Sequence, residues 1–111
     1  MKRFTMEEGL APGFDILGGT DRTQAATLEL APYTKTENRH EKSDRWVYVL
    51  TGTGKAVVGG LDARLAPGTL LLIEAGEPHE LDNTGEAPMV LLNVYGPPPT
   101  EPPRSSASVL V

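Results

Sequence analysis

The chain has 111 residues, with 10 Lys+Arg against 15 Asp+Glu and a formal charge of -5, a size that supports one domain with its own core. The absence of cysteine excludes disulfides, thiolate zinc sites, iron–sulfur clusters and cysteine nucleophiles, and the acidic balance without any Lys/Arg cluster argues against nucleic acid as a partner. Apolar runs such as Leu70 to Ile73 fall far short of the ~20 residues of a membrane span, and the N-terminus turns acidic at Glu7-Glu8 where a signal peptide would be apolar, so a cytoplasmic protein without a membrane partner is expected.

The 12 Gly and 10 Pro recur at intervals of several residues, which marks short strands separated by turns. Residues 1–23 read as an N-terminal segment that packs on the domain. Gln24 to Leu30 alternates with Ala26, Leu28 and Leu30 on one face, the period of a half-buried strand, and Ala31-Pro32 closes it. A polar loop follows from Thr34 to Asp44. Arg45 to Leu50 is β-branched and aromatic and gives the clearest strand, ending at Gly52 and Gly54. Lys55 to Val58 and Leu61 to Leu65 flank Gly59-Gly60, a pair that tolerates the positive φ of a two-residue hairpin turn.

Pro67-Gly68 turns the chain into a strand at Thr69 to Ile73, and Ala75 to Pro78 breaks it before His79 to Leu81. Asn83-Thr84-Gly85 turns it again, with the Asn83 side chain suited to satisfying the turn backbone. Met89 to Tyr95 is apolar on both faces and reads as a buried strand. Residues 97–111 form a Pro-rich tail outside the core, which spans residues 24–96. No helical periodicity appears over any 11 residues, so the domain is all-β with less than about 10% helix.

The segment from Gly68 to Asn83 places Gly68, Glu74-Ala75-Gly76, His79 and Asn83 at the intervals of the second cupin motif, with Glu74 where that motif usually has proline. His40 to Gly54 resembles the first cupin motif, whose pattern is H-x-H, three or four residues, glutamate, six residues, glycine. With Gly52 on the motif glycine and four residues in the variable gap, His40 falls on the second histidine, Asn38 on the first and Arg45 on the glutamate. The resemblance spans roughly Thr27 to Pro98. It implies a cupin jelly-roll barrel of two antiparallel sheets with a pocket in its mouth.

In cupins those histidines and that glutamate hold a divalent metal, which makes His40 and His79 the candidate metal ligands here, for Zn, Fe, Ni or Mn. Asn38, His40, Arg45 and His79 together form the candidate ligand pocket. Imidazole suits Zn, Fe, Ni or Cu, but a tight site takes about three protein donors; a one-residue shift of the loop would bring in a carboxylate from Glu41 or Asp44. A guanidinium is always protonated and repels a metal. Arg45 therefore either grips a carboxylate or phosphate of a ligand or pairs with Asp44, Glu41 or Glu77 at the barrel rim.

These residues point first to a small-molecule-binding cupin with a degenerate metal site. The competing reading is a metal-dependent isomerase or oxygenase acting on a small polar or acidic substrate, so catalysis is left open. Trp46 and Tyr48 alternate with Val47 and Val49 and face outward. They lie either under the N-terminal segment around Phe4, Leu10 and Phe14 or in a homodimer interface.

Overall fold

The computed structural model describes residues 1–6 and 13–99. Eight strands follow in chain order: β1 (Gly13–Gly19), β2 (Gln24–Leu30), β3 (Asp44–Thr51), β4 (Gly54–Val58), β5 (Leu61–Leu65), β6 (Leu70–Ile73), β7 (His79–Asn83) and β8 (Met89–Gly96). No helix occurs among the described residues, so none there is long and apolar enough to cross a membrane. The strands form two antiparallel sheets, one of five in the order β1-β2-β8-β3-β6 and one of three in the order β5-β4-β7.

Alternation decides which side chains fill the space between the sheets. Val47 and Val49 of β3, Leu91 of β8, Ala56 of β4 and Leu81 of β7 are all completely buried and belong to one cluster that spans both sheets. The Gly59-Gly60 hairpin forms as the sequence suggests, with Val58 opposite Leu61 and φ of 57° and 83° at the two glycines. Gly52 is held at φ 90°, where a Cβ would come within 2.7 Å of the Met89 Cα, so both backbone conformation and close approach require glycine after β3.

Two features differ from the sequence reading. The first 23 residues are more than a segment laid on the barrel, because Gly13–Gly19 pairs with β2 as the edge strand of the larger sheet. The glycines at both ends of this stretch and the adjacent Ile16 and Leu17 left it too little alternating character to read as a strand. The other difference lies in the polar loop, which adds to the free edge of β7: Lys35 bridges Asp82 and Arg39 bridges His79, both antiparallel. The Pro-rich tail lies outside the described residues from residue 100 onward.

Candidate functional site

The buried polar residues of the barrel converge at one place. Arg45 at the start of β3 and Tyr95 near the end of β8 are directly paired, Asn93 lies two residues before Tyr95 on the same inward face, and His79 opens β7 on the facing sheet. Arg45 is 5% exposed, His79 1% and Asn93 0%, so the charge and its partners sit well inside the protein. A charge at that depth needs partners.

Arg45 has them. Its Nε and Nη2 both donate to Asn93 Oδ1, at 3.0 and 2.8 Å, and its Nη1 lies 3.1 Å from His79 Nε2. The guanidinium carbon also stands 5.4 Å from the centroid of the Tyr95 ring, within cation–π range. His79 Nδ1 lies 3.0 Å from the Glu77 carbonyl, which only accepts, so Nδ1 carries the proton. Nε2 then holds a lone pair and accepts from Arg45. The imidazole is therefore neutral, and burial followed by the Arg45 guanidinium holds its pKa below the usual histidine value. Burial likewise pushes the Tyr95 phenol up, with Arg45 opposing.

Glu41 completes the cluster, its side chain only 9% exposed. Its Oε1 is buried without a hydrogen-bond partner, 3.9 Å from Arg45 Nη1 and 3.7 Å from His79 Nε2. Those separations bring Coulomb attraction from Arg45 but exceed hydrogen-bond length.

The sequence placed Asn38, His40, Arg45 and His79 in one pocket; the structure brings together Arg45 and His79, and leaves Asn38 and His40 exposed. The Arg39–His79 bridge is the reason. Directly opposed residues of an antiparallel pair share a face, so with His79 inward the odd-numbered Arg39 and Glu41 turn toward the barrel and Asn38 and His40 turn away. The variable gap of the first motif thus contains three residues, not four, which puts Glu41 where His40 was placed. His40 leaves the candidate ligand pair for that reason. Asn93 also contributes and was missed as a partner of Arg45, although a polar residue inside an otherwise apolar buried strand was a visible signal.

A cupin-domain family model matches residues 26–95, more than half of the sequence. The chain is a cupin. It is similar to TT1209 of Thermus thermophilus, with 32% identity and a TM-score of 0.70 over 76% of this chain and 81% of that one. BH2720 of Bacillus halodurans shares the fold at 22% identity and a TM-score of 0.76, over 84% of this chain and 74% of that one. A curated relative is the tetracenomycin polyketide synthase protein TcmJ of Streptomyces glaucescens, 34% identical over 62 residues, which are 55% of this chain and 42% of that protein. The cupin thus spans less than half the length of the curated relative it matches.

Cupins often bind a metal ion, so the donor set here can be tested against one. The Nε2 lone pair of His79 is taken by Arg45, whose fixed positive charge lies 3.1 Å from that nitrogen. Among the described residues no group of three or more His, Asp or Glu side chains is placed to hold a metal ion. The residues of this interior do not fit a divalent metal.

Proposed function

We propose that this cupin binds a small organic molecule at the Arg45–His79–Glu41 cluster, and that the cluster takes the place of the metal centre. The observation that carries the reading is the 3.1 Å contact from Arg45 Nη1 to His79 Nε2, which engages the one imidazole lone pair available for ligation. The name of the Streptomyces relative, a polyketide synthase protein, supports a small organic ligand in general terms. The exposed position of His40 weighs against a site made from the two histidines of this chain.

Titration of zinc or nickel into wild type, Arg45→Gln and Arg45→Glu, followed by calorimetry with His79→Ala as control, tests this. Wild type is expected to bind metal weakly, since a guanidinium within ~5 Å opposes a dication even at an effective dielectric of 20. Arg45→Gln removes the repulsion, and Arg45→Glu adds a carboxylate to Glu41 and His79, so affinity should rise in the order Arg, Gln, Glu. One metal ion per chain bound by wild type at submicromolar concentration would overturn the reading and favour a metal-dependent isomerase or oxygenase.

A further inference from the structure

The Arg45 guanidinium has five N–H donors. Two of them go to Asn93 Oδ1 and one to His79 Nε2, which leaves one N–H on each terminal nitrogen without an acceptor among the described residues. Close by, Glu41 Oε1 is an acceptor without a donor, buried at 3.9 Å from Nη1. Arg45 Nη1, with a spare N–H, and Glu41 Oε1 therefore lie 3.9 Å apart inside the barrel, beyond hydrogen-bond length. His79 cannot close the gap, because both of its ring nitrogens are engaged.

A buried carboxylate oxygen in this state calls for a hydrogen-bond donor that the described residues do not supply. An ammonium would meet Arg45 directly, and an oxyanion aimed at Oε1 would meet a like charge. A hydroxyl meets neither. From this arrangement we propose that the ligand presents a hydroxyl to Glu41 Oε1 and, on the neighbouring carbon, a carbonyl or carboxylate oxygen to the free N–H groups of Arg45. The ligand class is a small α-hydroxy carbonyl compound. This inference rests on the cluster being a ligand site without a metal. It adds that Glu41, at a position where the first motif has a histidine, recognises the hydroxyl.

The test uses two matched pairs on the full chain: acetoin against 2-butanone, and lactate against propionate, the second member of each lacking the hydroxyl. Side-chain NMR signals of Arg45 Nε–H and the His79 ring report occupancy of the cluster. Ligands of about six heavy atoms bind in the millimolar range at ordinary efficiency, so titrations extend to about 0.1 M. In one or both pairs the hydroxyl compound is expected to act at roughly tenfold lower concentration, as a hydrogen bond to a charged group implies. In Glu41→Met, checked for a native melting transition, that preference should vanish. Equal shifts within both pairs, or no shift from any of the four as for a site that holds only water, would overturn the inference, and the wild-type comparison stands even if Glu41→Met does not fold. Zinc shifting the same His79 signals at one equivalent would instead overturn the metal-free reading, whatever the four compounds do.

Discussion

His79 shows what one buried titratable residue contributes. Its neutral form accepts from Arg45 and donates to the Glu77 carbonyl, and burial lowers its pKa in the folded state. Between that lowered value and the unfolded value of about 6.5 the unfolded chain takes up a proton that the folded chain does not. Stability therefore rises with pH through this window. The contribution is complete above about pH 6.5 and is lost on acidification toward the folded value, at no more than about 1.4 kcal/mol per pH unit. Denaturant titrations between pH 7.5 and about 5 are expected to show this slope in wild type, and a smaller one in His79→Gln, whose amide oxygen accepts from Arg45 without titrating. Identical slopes in the two proteins would mean that His79 is not the group responsible.

Asn83 acts between elements. From the end of β7 its Nδ2 lies 3.0 Å from the Leu30 carbonyl, 3.1 Å from that of Ala31 and 2.9 Å from that of Ala87, and its Oδ1 accepts from the Gly85 amide at 2.9 Å. One buried amide thus ties the end of β2 on one sheet to β7 on the other and closes the turn before β8. Of these contacts the sequence foreshadowed only the local one, to the turn at Thr84-Gly85; the contacts to Leu30 and Ala31 cross more than fifty residues and depend on how the sheets face each other. Asn83→Ala leaves several backbone groups short of a partner and is expected to cost about 2 to 4 kcal/mol. The denaturant midpoint should fall with an unchanged m-value. A loss under about 1 kcal/mol would show that water replaces the amide without penalty.

For the whole molecule, the outer face of the larger sheet is the feature still to be explained. Trp46 pairs with Leu72 and Tyr48 with Leu70, and these four side chains remain between 38% and 58% exposed. They lie at the β6 edge, while β1 and the Phe4 ring packed over its Gly18 occupy the opposite edge. Phe14 is turned inward against Tyr95, at 6.4 Å between ring centroids, and Leu10 lies outside the described residues. Neither Phe4 nor Phe14 therefore covers Trp46. An apolar face beside an open strand edge predicts self-association, since a second copy buries both at once. Sedimentation at tens of micromolar should give about twice the 11.9 kDa chain mass, and Trp46→Glu should shift it toward monomer. A wild-type monomer would overturn self-association through this face.

What the sequence determined by itself is the set of local periods. Alternation in β3 and the paired glycines between β4 and β5 are properties of neighbouring residues and sufficed for an all-β chain and for the inward phase of Arg45 and His79, while the resemblance of Gly68 to Asn83 to a cupin motif supplied the barrel. The loop between β2 and β3 carries no such period, and its facing was decided by tertiary structure. Pairing with the free edge of β7 set Arg39 opposite His79, and because side chains alternate, that register turned Glu41 inward and His40 outward. The partnership of Arg45 with Asn93 likewise joins residues 48 apart on adjacent strands. Sequence could name an arginine where the motif has a carboxylate; only the packed barrel could show that its guanidinium is already held by Asn93 and His79 and faces a carboxylate it does not reach.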